Sequence, residues 1–86
     1  MNETPFLPIG FGNAVSKARL IAVIGAEGAP VRRLIQDARE RGTLIDATSG
    51  KRTRSVLIMD SDHIVLSTIE PEELTSEINS EEVSDG

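Results

Sequence analysis

Hydrophobic and polar positions follow two different periods along the chain, and each period predicts a different kind of element. Leu20–Ile24 is a continuous apolar run rich in branched side chains, which favours a strand buried on both faces. Over residues 30–41 the apolar side chains recur at i, i+3, i+4 and i+7, as on one face of a helix. Pro30 suits the first helical turn, and Gly42 supplies a left-handed stop. The pattern therefore predicts one main amphipathic helix after a buried strand.

Clusters of turn-forming residues divide the rest of the chain into short strands. Leu7–Ile9 is a candidate first strand, with a turn over residues 10–13. Three further strands are predicted over residues 43–48, 52–59 and 63–68, with turns at 49–50 and 60–62. Strands joined by such short turns form a small antiparallel β-meander. The fold class predicted is α+β.

The C-terminal part of the chain changes from helical to acidic and polar. Pro71 begins a short predicted helix in which Leu74 and Ile78 face inward, and carboxylates in its first turn suit the helix dipole. Residues 80–86 are predicted to be a disordered tail, which leaves residues 1–79 as one domain. The tail suits a solubilising appendage, and its charge also permits it to compete for a basic surface of the same chain.

Two predicted strands are apolar on both faces, Leu20–Ile24 and Val56–Met59. One helix of the predicted length covers only one side of a sheet. The other side then needs a further sheet layer or another subunit. From this we infer a homo-oligomer.

Composition excludes several classes of protein. The chain has 86 residues, two aromatic side chains and no cysteine, so disulfides and thiolate metal sites are excluded. No apolar run approaches the roughly 20 residues of a membrane-spanning helix, and the N-terminus lacks a signal-peptide pattern. A cytoplasmic protein with no membrane contact and no cofactor is expected.

Charge is divided sharply along the chain. All nine Lys and Arg residues lie between Lys17 and Arg54, whereas nine of the fourteen acidic residues follow Arg54. The net charge of −5 therefore conceals a basic body with an acidic end. A polyanionic partner responds to the local field, so this distribution favours one.

The basic residues most suited to binding an anion surround the turn at residues 49–50. Arg52 and Arg54 point the same way on a predicted strand, and Lys51 precedes them, so the hairpin could hold a phosphate. Arg19 and Lys17 add charge at the start of another strand. Further cations, Arg32 and Arg33, stand near a helix N-terminus, where the dipole disfavours them. An ordinary solvated face is the alternative interpretation of these charges.

Two other motifs are weaker. Gly10-Phe11-Gly12-Asn13 lacks the third glycine of a dinucleotide loop and the Lys-Ser or Lys-Thr of a P-loop, so a tight turn is the better interpretation. Phe11 could then serve base stacking or subunit packing. Asp60, Asp62 and His63 could build a hydrolase or metal site, but Asp and Ser are also the ordinary residues of a hairpin turn. We expect neither a catalytic nor a metal site.

Several stretches resemble the RemA family of small bacterial regulators, the extracellular matrix regulatory proteins. The resemblance covers residues 7 to about 73 and rests on segments 9–13, 29–35, 37–48, 50–54 and 60–67. The most specific segment is the string from Asp37 to Thr48. Elsewhere the chain departs from the family pattern at three positions. Ser49 replaces an aromatic residue, Lys51 replaces an arginine, and Gly28 replaces a serine.

The resemblance implies a DNA-binding transcriptional regulator without catalytic activity, associated with the nucleoid and with genes of the biofilm matrix. It implies ring-shaped homo-oligomers that present basic residues to double-stranded DNA. The family's DNA contacts correspond to Arg19, Lys51, Arg52 and Arg54. From the charge pattern alone, Lys17, Arg32 and Arg33 are added as secondary DNA contacts. The proline important to family function corresponds to Pro30.

Two functional hypotheses follow from the sequence. In the first, a homo-oligomer binds DNA with little sequence preference and regulates transcription. In the second, a non-enzymatic oligomer uses the basic hairpin to bind an acidic protein or a small anionic ligand. DNA binding that weakens as salt rises would distinguish the first hypothesis from the second.

Overall fold

The computed structural model describes the backbone of residues 5–83 and the side chains of residues 5–79. The elements in chain order are β1 (Phe6–Gly10), β2 (Asn13–Ser16), β3 (Leu20–Gly25), α1 (Ala29–Arg41), β4 (Leu44–Asp46), β5 (Ser55–Met59), β6 (Ile64–Ser67) and α2 (Pro71–Val83). A single 3-10 turn, Lys17–Arg19, joins β2 to β3. The α+β class is confirmed.

Strands β1 and β2 form an antiparallel hairpin that stands apart from the main sheet. Its turn residues, Phe11 and Gly12, have φ angles of 55° and 78°, as a type I′ turn requires. The Asn13 side-chain amide donates a hydrogen bond to the Gly10 carbonyl at 3.1 Å. The predicted tight turn is therefore confirmed, and β2 is an additional strand that the sequence analysis did not predict.

The main sheet has four strands in the order β3-β5-β6-β4. β5 pairs antiparallel with β3 and with β6, but β4 pairs parallel with β6. The predicted meander is therefore wrong at β4. The turn at Ser49 and Gly50 exists, since both residues have positive φ. It does not close a hairpin, because residues 47–54 carry the chain past β6 before β5 begins.

The strand predicted over residues 52–59 also begins later than expected, at Ser55 rather than at Arg52. Arg52 consequently lies in a connection and not on a strand, and Lys51 lies in the same connection. Arg54 joins the ladder only through its backbone: its amide donates to the Ser67 carbonyl at 2.8 Å, and its carbonyl accepts from the Ala26 amide at 3.1 Å. The predicted basic hairpin is thus a basic connection between β4 and β5.

Both faces of the main sheet are covered by elements of the same chain. One core cluster packs against α1 and consists of Ala38, Val56, Ile64 and Leu66 with partly buried neighbours such as Leu34 and Ile35. The other lies beneath the β1–β2 hairpin and α2 and consists of Leu7, Ile9, Ala47, Leu57, Val65 and Leu74. The further layer that the apolar strands require is therefore intramolecular. The argument for a second subunit from an uncovered face no longer applies.

Strand β3 is an edge strand and is less buried than its sequence predicts. A register shift between Leu20 and Ala22 leaves Ile21 65% exposed. An irregularity of this kind turns a side chain out of the alternating pattern. The prediction of burial on both faces is wrong for this residue, while Val23 and Ile24 pack against the two opposite cores.

The two helices differ from prediction mainly in length. α1 begins one residue before Pro30 and ends at Arg41, and the φ of 79° at the following Gly42 is left-handed as predicted. α2 has 13 residues, the same number as α1, so it is not short. Leu74 is buried and Ile78 packs against the same core, as predicted. The last turn of α2 extends into the predicted tail, and residues 84–86 lie outside the described residues.

No helix within the described residues is long and apolar enough to cross a membrane.

Candidate functional site

The predicted phosphate-binding residues occupy two opposite ends of the β3–β5 pair. Gly25 pairs with Ser55 at one end of this ladder, and Leu20 pairs with Met59 at the other. Arg54 directly precedes Ser55, whereas Arg19 directly precedes Leu20. Arg19 lies opposite Asp60, which is six residues beyond Arg54. Six residues of strand span about 20 Å, so a single phosphate cannot contact both arginines of one subunit. Lys51, Arg52 and Arg54 lie within four consecutive residues at one end, whereas Arg19 lies at the other.

We call the first group the basic loop, comprising Lys51, Arg52 and Arg54. All three are exposed. The Lys51 amide donates to the Thr48 carbonyl at 2.9 Å, which fixes the turn before the arginines. Together with the two backbone hydrogen bonds of Arg54, this holds the loop at both ends. The loop therefore presents three cations from a backbone of defined shape.

Two carboxylates contact the basic loop, and the sequence analysis did not identify either. Arg54 Nη1 lies 3.0 Å from Glu70 Oε2, and Arg52 Nη2 lies 3.8 Å from Glu27 Oε2. Glu27, Thr53, Arg54 and Glu70 line a shallow cleft of about 300 Å³ between β3 and the start of α2. The cleft is therefore lined by one cation, Arg54, and two carboxylates.

Glu70 is placed by the start of α2. Its carbonyl accepts hydrogen bonds from the amides of Glu73 and Leu74, at 3.0 and 3.2 Å. The preceding residue is fixed too, because the Ser55 hydroxyl donates to the Ile69 carbonyl and the Ile69 amide donates to Ser67 Oγ. The carboxylate of Glu70 thus stands on a rigid backbone beside Arg54.

The opposite end of the β3–β5 pair carries Arg19 and Asp60. Arg19 Nη1 lies 3.4 Å from Asp60 Oδ2, and the Asp60 amide donates to the Arg19 carbonyl at 2.8 Å. Lys17 is in the same 3-10 turn, half-buried, with its amide bonded to the Pro5 carbonyl at 3.0 Å. This end therefore offers a second basic position that also faces a carboxylate of its own chain.

Arg32 and Arg33 lie in the first turns of α1, which starts at the same end of the sheet as the basic loop. Both side chains are exposed. The residue before the helix, Gly28, provides no side-chain cap. These two arginines therefore extend the positive surface beyond the loop.

The turn after β5 holds the residues considered for catalysis. Ser61 Oγ lies 2.7 Å from His63 Nδ1, Asp62 has a left-handed φ of 72°, and Asp60 pairs with Arg19. The Ser61–His63 contact and the φ of Asp62 are local features of a turn, as the turn interpretation predicts, whereas Asp60 contacts an arginine distant in sequence. Among the described residues, no group of three His, Asp or Glu side chains is arranged to hold a metal ion.

Asp46 fixes the beginning of the connection that carries the basic loop. Its Oδ1 accepts hydrogen bonds from the Thr48 hydroxyl at 2.5 Å and from the Thr48 amide at 2.9 Å. The hydroxyl first, then the amide and the charge of Arg39, lower the pKa of Asp46 below its ordinary value. The carboxylate therefore stays ionised and closes a local turn between β4 and Lys51.

Comparison with known proteins identifies relatives along almost the whole chain. The family model described as RemA-like, extracellular matrix regulatory protein A-like, matches residues 6–78. A "Putative regulatory protein" of Acetivibrio thermocellus is 56% identical over 77 residues, which is 90% of this chain and 83% of the relative. A protein of Carboxydothermus hydrogenoformans with the same name is 51% identical over 80 residues, 93% of this chain and 92% of the relative.

The matched segment contains the hairpin, both cores, the basic loop and the carboxylates that contact it. The resemblance seen in the sequence is therefore confirmed over residues 6–78, and the relatives' names agree with a regulatory role. The chain belongs to the RemA-like family of extracellular matrix regulatory proteins.

Proposed function

We propose that the protein is a DNA-binding transcriptional regulator that acts as a ring-like homo-oligomer. Its phosphate contacts are Arg19 and the basic loop, with Lys17, Arg32 and Arg33 as secondary contacts. The family description makes genes of the extracellular matrix candidate targets. On this proposal the protein works on chromosomal DNA and has no catalytic role.

The observation that carries the proposal is the exposed basic loop on a fixed backbone. Arginine side chains offer planar donor pairs that match phosphate oxygens, and two of the three cations here are arginines. Fixing the loop at both ends lowers the entropy lost when it binds. A regulatory name among relatives that are more than half identical agrees with this chemistry.

The separation of the two basic ends supports repetition of the subunit. One subunit offers only a few cations at each end, and Arg19 and Arg54 lie about 20 Å apart along β5. Alone, either end would bind DNA weakly. In an assembly the same contacts recur, and each contact raises the effective concentration of the next.

Because both faces of the main sheet are covered within the chain, assembly must use other surfaces. Exposed apolar side chains offer such a surface. Phe6, Phe11, Ile21 and Ile45 are each about half exposed or more. Phe11 is also a bulky residue with positive φ, a conformation that costs energy in a free turn. We take a second copy of the chain as the partner of these side chains.

Phosphate contacts carry no sequence information, so the proposed regulator discriminates sites mainly through DNA shape and bendability. Sequence preference should therefore be weak for short random duplexes. It should be stronger where the DNA is easily bent.

The proposal is tested by native mass and by titration of a random duplex at low salt. Wild type should have a mass of several chains of 9.3 kDa each and should bind the duplex. Arg52→Ala should bind several-fold more weakly, because it removes one phosphate contact from every subunit. Arg39→Ala is the matched control, since it removes one exposed arginine from α1 outside the proposed contacts, and should bind like wild type.

Three outcomes would contradict the proposal. A mass of one chain argues against assembly, and an absence of DNA binding by wild type at low salt argues against DNA as the partner. Equal losses in Arg52→Ala and Arg39→Ala would show that the basic loop has no special part. Binding of an acidic protein or a small anion that depends on Arg52, without DNA binding, would favour the alternative module.

A further inference from the structure

Three of the four proposed phosphate-binding residues already contact a carboxylate of their own chain. The pairs are Arg54–Glu70, Arg52–Glu27 and Arg19–Asp60, at 3.0, 3.8 and 3.4 Å. We infer that Glu70 and Glu27 are built-in counter-ions that compete with DNA phosphates for the basic loop and so set its affinity and salt dependence. This inference rests on the proposed function.

The Arg54–Glu70 pair is the most strongly positioned. The Arg54 backbone is bonded on both sides, to Ser67 and Ala26, and the Glu70 carbonyl begins α2. The two side chains are 46% and 50% exposed. The pair therefore exists without DNA in a defined geometry, yet a phosphate can approach it from solvent.

The Arg52–Glu27 pair is looser. Its two side chains are 71% and 88% exposed, and its atoms are farther apart. Exposed ion pairs of this kind are weak, because water screens them and two mobile side chains must be ordered. Glu27 should therefore compete less strongly than Glu70.

Binding of a phosphate to Arg54 has two electrostatic consequences. The guanidinium must exchange its carboxylate partner for a phosphate oxygen, and the released carboxylate then stands beside the negative DNA backbone. Both effects oppose binding. Replacing the carboxylate with an amide of the same shape removes both, so affinity should rise.

The same exchange changes the salt dependence. DNA releases condensed cations when its phosphates are neutralised, which makes affinity fall as salt rises. A released carboxylate takes up cations again and offsets part of this release. Removing the carboxylate should therefore make the dependence of affinity on salt steeper.

The competitors inferred here differ from the acidic tail considered in the sequence analysis. Glu27 and Glu70 belong to the folded body and lie within contact distance of the loop. Their effect should therefore persist in a chain that ends near Asn79.

The test compares Glu70→Gln, Glu27→Gln and wild type for binding to a random duplex at several salt concentrations. Glu70→Gln should bind up to about fivefold more tightly per contacting subunit, and with a steeper salt dependence. Glu27→Gln should show the same changes at smaller size. Glu40→Gln is the matched control, because it makes the same charge change near the C-terminal end of α1, beside Gln36.

A double-mutant cycle with Arg54→Gln separates pairing from a general change of charge. If Glu70 acts through Arg54, Glu70→Gln should gain little affinity when Arg54→Gln is already present. Circular dichroism of each variant checks that the fold is retained.

The inference is overturned if wild type binds DNA but Glu70→Gln binds no more tightly than Glu40→Gln, or binds more weakly. It is also overturned if the gain is as large in the Arg54→Gln background. If neither wild type nor any variant binds DNA at low salt, the proposed function itself fails, which is a separate and recognisable result.

Discussion

At the scale of single residues, the positions of the cations depend on short-range hydrogen bonds to the backbone. Asp46 closes a turn on Thr48, and the Lys51 amide then bonds to the Thr48 carbonyl. The conformation of the basic loop therefore depends on the Asp46 carboxylate, which does not itself contact the loop cations. Loss of this carboxylate should loosen the start of the loop.

The lowered pKa of Asp46 leads to a prediction about how stability depends on pH. Because the pKa of Asp46 is lowered in the folded protein from 3.8, its ionised form stabilises the fold above about pH 4. That contribution should be lost as the pH falls through the lowered value. Asp46→Ala should reduce the free energy of unfolding at pH 7 by at most about 1 kcal/mol, since the group is exposed, and by less at pH 3.

Urea unfolding of wild type and Asp46→Ala at the two pH values measures this difference. Thr48→Val is the companion variant, because it keeps the volume of the buried Thr48 side chain and removes the hydroxyl donor. It should weaken the pH dependence as well. An Asp46→Ala effect of equal size at pH 7 and pH 3 would contradict this account.

Residues that contact each other across long sequence separations could not be predicted. Arg54 and Glu70 are 16 residues apart, and Arg19 and Asp60 are 41 apart. The sequence located the arginines from local charge and turn patterns. Their partners depend on how β3, β5 and α2 assemble, which those local patterns do not contain.

At the scale of elements, local sequence patterns predicted α1, the turn over residues 10–13 and the β5–β6 hairpin, because each depends on nearby residues. It failed for β4. The apolar pattern of Leu44–Asp46 identifies a strand but not its neighbour, and a parallel pairing with β6 requires the longer connection over 47–54. The strand after the turn was also predicted to begin too early, which placed Arg52 on a strand instead of in a loop.

The start of α1 provides a test at this scale. Gly28 precedes the helix with φ of 111°, a value that residues with a side chain rarely adopt. In an ordinary helix, a serine at the residue before the first turn caps the helix and stabilises it by about 1 kcal/mol. Here the positive φ should outweigh the cap, so Gly28→Ser should lower the free energy of unfolding by about 1 kcal/mol.

Chemical denaturation of Gly28→Ser and of Ala29→Ser checks this expectation. Ala29 is the first residue of α1, so Ala29→Ser adds the same side chain one position later. It should change stability by less than about 0.5 kcal/mol. Stabilisation by Gly28→Ser would show that the backbone can adopt a negative φ there.

At the scale of the whole molecule, the chain encloses its sheet in two layers of its own, α1 on one face and the hairpin with α2 on the other. Assembly is therefore not needed to bury the sheet. On our proposal, assembly serves DNA binding instead. It repeats the few cations that each subunit carries at the two ends of its β3–β5 pair. The acidic half of the sequence also acquires a role, since Glu70 and Asp60 contact the arginines of the basic half.

The central claim is that repeated phosphate contacts through the basic loop bind DNA. Its most direct test is the salt dependence of binding to a fluorescent random duplex, measured by anisotropy for wild type and Arg52→Ala. We predict that the logarithm of the wild-type affinity falls steeply and linearly with the logarithm of salt concentration, and that Arg52→Ala falls less steeply. An affinity independent of salt, or no wild-type binding at low salt, would contradict the account.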